Sequence, residues 1–433
     1  MRFSRCFLVF LLMSLPAGLA QAQNTNDGSI YSRFGLGDLH TPGTSQAQAM
    51  GLTGTALFSY NYGSLANPAL WSDQVFTRAS VGFAYRGVES TDATDATSRL
   101  TSGALGAVQF SFPILDRRLG ASFGFRPYSR VNYRVQTAGD LNDPTLSNPI
   151  PFTVDYEGSG GLQEITGGLG YRFSPRLSVG LSGAFTFGIV EDVQRTRFAT
   201  ALYDPAVATT STRLYGLTAT GGAMLSFPNL LSEEDVLHVG ATLTLPTLLD
   251  GERLITRGES LDRDTLSTVD SGSMRLPLRA NLGLTYRLDN RWQIGVEGLF
   301  EPWSDFRSDF ALNGYVPNSS TDALRDRVRV GGGVEVLPAG NDLLDSFFRR
   351  TAYRLGFYYD RTYITPNPDV NLRAVAATAG LSLPTLLTGT RIDINLEVGT
   401  RGTTDQNLVR DLFYGVSLTV NAGERWFIKR RLR

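Results

Sequence analysis

The sequence predicts an all-β protein: a transmembrane antiparallel β-barrel of about 14 strands, with an N-terminal plug in the lumen. Three observations predict this fold class. Apolar and polar residues alternate with a period of two along many segments. Short turns alternate with long polar connections. Beyond the N-terminal leader, no apolar stretch reaches the roughly 20 residues that a spanning helix needs.

The chain begins with the pattern of a secretory signal. Arg2 and Arg5 provide the positive start, an apolar run covers 6–15, and Ala20-Gln21-Ala22 is a small-x-small cleavage site. We therefore expect residues 1–22 to be removed, because the run is too short for the alternative, a retained membrane anchor. Cys6, the single cysteine, lies in this run, so the mature chain should contain no disulfide and no thiolate ligand.

The next segment does not alternate cleanly. It is rich in Gly, Ala, Ser and Asn, with scattered large apolar residues, among them Met50, Leu52 and Leu39. A tail of this length would be too apolar to remain comfortably in water. The pattern predicts that 23–74 form a plug inside the barrel, and the alternative is a free periplasmic extension.

The clearest alternation runs from Ser273 to Leu288. Met274, Leu276 and every second residue to Leu288 are apolar or aromatic, whereas the intervening positions are polar and include arginines at 275, 279 and 287. Successive side chains of a strand point to opposite faces. We therefore predict one continuous strand here, with the apolar face toward lipid and the arginines toward the lumen.

About fourteen such segments make up a predicted barrel over 75–421. They begin near Phe76, Leu100, Arg118, Gly161, Arg176, Ser211, Val236, Ser273, Arg291, Asp326, Thr351, Leu372, Arg391 and Val409. Tight turns are predicted at 115–117, 174–175 and 289–290, and long polar connections at 89–98, 136–160, 191–210, 250–271 and 304–324. A soluble β-sandwich has no reason to segregate its loops in this way.

An even strand number places both termini in the periplasm. The basic tail 422–433 should lie there, either solvated or holding an anionic lipid or a partner. We expect a monomer in the bacterial outer membrane.

The composition argues against several other functions. The 40 basic and 41 acidic residues give no overall attraction to nucleic acid. His40 and His238 are the two histidines, and neither lies near a serine motif, so we expect no enzyme, no metal and no cofactor. The acidic residues on predicted lumen faces should pair with lumen arginines, the alternative being a cation path: Glu297, Glu301, Asp393 and Glu397.

Two stretches of the plug segment resemble a known family. They are 48–54, with the letters QAMGLTG, and 65–70, with the letters LANPAL. Both are similar to the plug of the FadL/TodX family of outer-membrane transporters for long-chain fatty acids and hydrophobic compounds. A second similarity joins Leu276-Pro277, Arg291-Trp292 and 303–306, and the stretches 29–38 and 425–430 resemble a Bacteroidetes-type branch.

The resemblance implies fourteen strands, a plug that gates the lumen, and an apolar ligand pocket. The plug and gate candidates are Asn67, Pro68, Ala69, Met50 and Gly51. The pocket candidates are Phe34, Leu36, Leu57 and Phe58.

The resemblance also implies a kink in the third strand that opens a lateral path through the wall. Gly124 and Pro127 are the candidates, because proline cannot donate a ladder hydrogen bond. The alternative is that Pro127 merely marks where the strand leaves the membrane. The expected partners are membrane lipid and a hydrophobic small molecule. The resemblance implies outer-membrane transport of hydrophobic or amphipathic, long-chain fatty acid-like molecules through the plugged barrel. The alternative function is that of a non-transporting barrel that binds or scaffolds a protein-secretion partner or a surface lipid such as lipopolysaccharide.

Overall fold

A computed structural model describes residues 28–142, 149–200, 203–258, 264–265, 270–317, 324–340, 342–366, 370–387 and 389–424. The predicted signal and the tail from 425 onward lie outside these residues. Within the described ranges, no helix is long and apolar enough to cross a bilayer.

Fourteen antiparallel strands form a closed barrel, as predicted. They are β1 (Thr77–Thr91), β2 (Thr97–Leu115), β3 (Leu119–Pro127 and Tyr133–Leu141), β4 (Ile150–Ser174), β5 (Leu177–Phe198), β6 (Ala206–Pro228), β7 (Val236–Thr244 and Thr247–Arg257), β8 (Asp270–Leu276 and Arg279–Leu288), β9 (Trp292–Glu301), β10 (Arg327–Val336), β11 (Ala352–Arg361), β12 (Arg373–Pro384), β13 (Arg391–Gly402) and β14 (Arg410–Glu424). The barrel closes where β1 pairs with β14, in the register Thr77↔Glu424.

Shorter elements complete the fold. The 3-10 turns are Ile30–Arg33, Pro68–Asp73, Trp303–Asp305 and Asp405–Asn407, and the α-helices are α1 (Ser45–Ala49) and α2 (Phe347–Arg350). Two-residue strands occur at Asp38–Leu39, Ser129–Arg130, Asp264–Thr265 and Arg307–Ser308.

One end of the barrel carries the tight turns between neighbouring strands, and we name it the short-turn end. Asp289 and Asn290 have positive φ angles of 51° and 53°, the conformation of the type I′ hairpin turn, and join β8 to β9. The last strand reaches Glu424, three residues beyond the predicted limit of the barrel at 421. The opposite end carries the longer connections and is named the long-loop end.

The prediction of a continuous strand from Ser273 to Leu288 is wrong. β8 breaks at 277–278, where Pro277 has no N–H for the ladder, and the inward face changes parity across the break. Met274 is 0% exposed and faces the lumen, whereas Leu282 is 60% exposed and faces lipid. Arg275 accordingly lies on the outer face and not in the lumen.

The neighbouring strand β7 breaks at the same level, at 245–246, again with a proline. Below the break His238 and Thr242 face inward, and above it Thr247 and Leu249 do. Both strands therefore direct apolar side chains into the upper lumen. In these two strands the apolar side chains face lipid at the short-turn end and face the lumen toward the long-loop end.

The predicted long loops at 136–160, 191–210 and 250–271 are partly strand. β4, β5 and β6 have 25, 22 and 23 residues and pair through much of 136–160 and 191–210. β9, β10 and β11 have 10 residues each, close to the roughly 9–11 that cross a bilayer. The wall is therefore much taller on the β4–β6 side.

A hydrophobic cluster, named the lumen core, fills the upper lumen on one side. Its buried members are Tyr31, Leu36, Tyr128, Leu162, Leu214, Leu249, Met274, Leu276, Trp303, Phe306, Phe310, Tyr315, Leu324, Tyr363, Ile364 and Leu372. Inward residues of β4 and β6–β8 meet aromatic residues of the connections after β9 and β11. Tyr31 and Leu36, from the start of the plug segment, belong to the same cluster.

Candidate functional site

Glu297, on the lumen face of β9, binds the plug directly. Its carboxylate accepts hydrogen bonds from the backbone N–H groups of Thr53, Gly54, Thr55 and Ala56, and from the Thr53 hydroxyl at 2.7 Å. Five donors around a side chain that is 4% exposed satisfy the buried charge without a cation. The expectation that Glu297 pairs with a lumen arginine is therefore wrong.

The other three lumen carboxylates do pair with arginines. Glu301 contacts Arg279 and Arg327, Glu397 contacts Arg86 at 3.1 Å, and Asp393 lies 3.5 Å from Arg354. The Glu301 pairs connect neighbouring strands of the inner wall, whereas the Glu397 and Asp393 pairs each span one intervening strand.

Wall glycines let the plug backbone approach closely. The wall glycines whose Cβ would lie within 2.5 Å of a plug atom are Gly120, Gly170, Gly180, Gly222, Gly240, Gly331, Gly333, Gly356 and Gly380. They come from β3–β7 and β10–β12. A side chain at any of these positions would push the plug away from the wall, so the fit between plug and wall requires glycine there.

The predicted gate residues lie within this contact. Asn67 is fully buried and caps the 3-10 turn Pro68–Asp73: its Oδ1 accepts from the Ala69 N–H at 2.9 Å. Its Nδ2 donates to the Thr55 carbonyl at 2.7 Å and to the Ala223 carbonyl of β6 at 3.2 Å. Pro68 lies against Gly180. One side chain thus holds two plug segments and the wall together.

Met50 and Gly51 lie on the other side of the plug. Met50 is buried with Ala47, Leu52 and Leu57, and its backbone lies against β10 and β11. Gly51 has a φ of +69°, which L side chains rarely adopt, and it sits against the carbonyl of residue 357. In this structure the five gate candidates all lie where the plug contacts the barrel wall.

The four pocket candidates do not form one pocket. Phe34 and Leu36 pack in the lumen core, Leu57 packs with Met50, and Phe58 packs with residues of the Pro68–Asp73 turn and β6. Leu57 and Phe58 border a cavity of only about 20 Å³.

The third strand is interrupted where the sequence suggested. The ladder between β2 and β3 runs from Leu115↔Leu119 to Val108↔Phe125. In the described part of the chain it does not continue above that pair, because β3 turns inward after Pro127 and its second part pairs with β4 alone. Gly124 lies inside the ladder, where it leaves room for Leu65 of the plug.

The turned-in segment of β3 meets the plug. Ser129–Arg130 pairs with Asp38–Leu39, the His40 N–H donates to the Tyr128 carbonyl at 2.9 Å, and Ser32 bonds the backbone of Asn132. The break thus joins the wall to the plug and opens the wall between β2 and β3.

A cavity of about 720 Å³ lies along this opening. Both sides of the interrupted ladder line it, through 104–107 of β2 and, on the other side, 125–127 of β3 and Ser129–Arg130. Its charged lining is dominated by arginine: Arg86, Arg126, Arg130, Arg327, Arg329 and Arg401 against Asp38, Asp360 and Glu397, with His40 among them. The large cavity is therefore bordered by residues other than the predicted pocket candidates.

The pKa values of two plug residues, His40 and Asp38, are shifted by burial and by the charged residues that line the cavity. Burial, and then the positive charge of Arg86, lower the pKa of His40 to about 4, with Arg130 and Arg126 acting in the same direction and Asp38 opposing them. Burial raises the pKa of Asp38, but the guanidinium of Arg401 outweighs it and the net pKa is lowered. His40 is thus neutral at pH 7, in a region of positive potential.

Sequence reasoning missed the cavity arginines, the Glu297 anchor and the glycine contacts. One signal was present: Arg126 and Arg130 flank the segment that contains Pro127, so a kink there carries both guanidiniums. The glycines alternate with apolar residues along the strands, which is also visible in sequence. The partner of Glu297 is not, because the plug loop is remote in the chain.

A family model described as BamG matches residues 3–433. Comparison with curated protein sequences gives no significant match.

Several solved structures share the fold. The toluene transporter TbuX of Ralstonia pickettii has 15% sequence identity and a TM-score of 0.57, over 88% of this chain and 98% of that one. A FadL homologue of Pseudomonas aeruginosa has 14% identity and a TM-score of 0.58, over 90% and 99%. The Pseudomonas putida toluene transporter TodX has 15% identity and a TM-score of 0.54, over 90% and 100%. The resemblance to the FadL/TodX barrels is confirmed for the fold, which is that of an outer-membrane β-barrel.

Proposed function

The chain belongs to the BamG family, and from this premise and its lumen we propose that it moves hydrophobic or amphipathic small molecules across the outer membrane. The cargo enters the lumen beside a seated plug. It leaves sideways through the opening between β2 and β3.

The observation that carries this proposal is the interrupted ladder beside the large cavity. A transmembrane barrel normally leaves no wall edge unpaired, because backbone groups find no partner in lipid. Here the upper part of β2 ends its pairing with β3 at Val108, and the cavity runs along that edge. The solved structures of similar fold include proteins described as toluene transporters, which supports a hydrophobic cargo.

A side chain placed in the opening tests the path. Ala104 of β2 lies opposite Ala84 and lines the cavity. We expect Ala104→Trp to fill the opening and to reduce entry of the neutral hydrophobic dye 1-N-phenylnaphthylamine into expressing cells to the level of cells without the protein. Ala241→Trp, on the lipid face of β7, is the matched control and should leave entry unchanged.

Folded protein is confirmed by its heat-dependent shift on gels. Unchanged dye entry in a folded Ala104→Trp variant would exclude the lateral path. Dye entry no faster in cells with the wild-type protein than in cells without it would exclude transport of hydrophobic molecules altogether.

A second function is favoured by the short-turn end. Leu344 is 96% exposed, and Leu343, Phe348, Leu386 and Leu387 are exposed beside it on the turns after β10 and β12. Exposed apolar clusters of this kind mark binding surfaces. A scaffold role for a secretion partner would use this surface. Leu344→Asp should then release a co-purified protein without altering dye entry, whereas a transporter without a partner should show neither change.

A further inference from the structure

Three arginines converge on the cavity wall beside the break in β3. Arg126 and Arg130 come from the two sides of Pro127, and Arg86 comes from the lumen face of β1. All three line the same cavity, and the positive charge of each lowers the pKa of His40, which borders the cavity with them.

Arg126 is only partly satisfied. It is 8% exposed, and its Nη2 donates to both oxygens of Glu164 at 2.8 and 2.9 Å. Its Nε and Nη1 are buried and have no hydrogen-bond partner among the described residues. A buried, charged N–H group without an acceptor is energetically unfavourable, so Arg126 keeps two donors that no described residue satisfies.

Arg130 carries the uncompensated charge of the group. Its side chain makes no ion pair within the part of the chain that the structure describes. The nearby carboxylates are already engaged: Glu164 by Arg126, Glu397 by Arg86, and Asp38 by Arg401. Three planar guanidiniums that border one cavity suit an anion with three or more acceptor oxygens better than a single carboxylate.

We propose that Arg86, Arg126 and Arg130 bind the phosphate headgroup of an amphiphile whose apolar part extends through the opening between β2 and β3. The apolar residues Leu105 and Phe125 border the cavity on the two strands of that opening. The inference rests on the lateral path of the proposed function and specifies the class of molecule that occupies it.

Binding to purified protein in dodecyl maltoside tests the site, by native mass spectrometry and calorimetry. The probes are dioctanoyl phosphatidic acid, dioctanoyl glycerol without the phosphate, and inorganic phosphate. We expect one phosphatidic acid per barrel, weak or no binding of the other two, and an affinity that falls with salt.

The variants separate the site from the fold. Arg130→Gln removes a side chain that has no ion pair, and the double variant Arg126→Gln, Glu164→Gln removes a pair without leaving a buried carboxylate. Each should weaken phosphatidic acid binding about tenfold or more, the loss expected for one charge-assisted contact. Arg349→Gln, on α2 at the short-turn end, is the control and should bind as the wild type does.

Equal affinity of Arg130→Gln and wild type, or of the lipids with and without phosphate, would overturn the proposal. Competition by inorganic phosphate at concentrations equal to the lipid would show a free-anion site and overturn the amphiphile assignment. Phosphatidic acid binding without dye entry supports the site and removes the proposed transport, whereas dye entry without binding does the reverse.

Discussion

The two sides of the lumen are built from the same alternating strands but are occupied in opposite ways. On the β4–β9 side, the lumen core and the plug fill the space, and Glu297 binds the plug loop through five hydrogen bonds. On the side of β1–β3 and β10–β14, a cavity of about 720 Å³ is lined by arginines. The first side supplies stability, and the second supplies space and charge.

Proline breaks contribute to both sides with different results. Pro246 and Pro277 shift the inward face of two paired strands, which keep their ladder and direct apolar residues inward. Pro127 ends the ladder on one flank of β3, and the strand leaves the wall. The outcome depends on what receives the displaced segment: a hydrophobic core in one case, and a polar pairing with the plug in the other.

The largest expected effect comes from the filled side. Trp303 is 1% exposed and its ring centroid lies 4.2 Å from that of Tyr363. Trp303→Ala should lower the unfolding free energy by about 3–5 kcal/mol, the cost of a large buried cavity. Trp292→Ala, at an exposed lipid-facing position, should cost about 1 kcal/mol or less. Urea unfolding in detergent, followed by circular dichroism, measures both, and equal costs would contradict the comparison.

Glu297→Ala should have the second-largest effect on stability, because it leaves four plug N–H groups without their acceptor. We expect a loss of about 3 kcal/mol and a plug that loosens enough to raise ion conductance in planar bilayers. Glu252→Ala, which removes an exposed carboxylate of β7, is the control. A conductance equal to the wild type would mean that the glycine contacts alone retain the plug.

Two adjacent glycines sharpen the comparison. A methyl group on Gly222 would overlap Asn67, whereas one on Gly221 would meet no atom within 4 Å. Gly222→Ala should cost about 1–3 kcal/mol and expose the plug to protease, as overpacking does. Gly221→Ala should be neutral. Limited proteolysis with unfolding curves distinguishes them, and matching digestion patterns would show that the plug seat is adaptable.

The last effect belongs to the open side and depends on pH. The pKa of His40 is lowered to about 4 from 6.5, so below pH 6.5 the unfolded chain binds a proton that the folded chain does not. Stability should therefore fall as pH drops from about 6.5 to 4. His40→Gln should flatten this part of the stability–pH curve. An unchanged slope would place the titration elsewhere.

The sequence predicted the wall well and the lumen poorly. Period-two alternation located all fourteen strands, because each lipid-facing strand must carry its own apolar face. It failed across Pro277, since alternation assigns faces only within an unbroken strand and says nothing about parity after a break. The Asn67-Pro68 motif was found from its letters. The partner of Glu297 and the arginines around His40 were not, because they depend on where a folded plug places groups that are hundreds of residues apart.

The glycine contacts determine how this molecule can be assembled. Plug atoms touch the bare backbone of strands from β3 to β12, so the gap between plug and wall is too narrow for one to slide into the other. We therefore expect the plug to be in position while the sheet is still open. The wall strands would then pair with one another around the plug, and the pairing of β14 with β1 would close the barrel and enclose the plug.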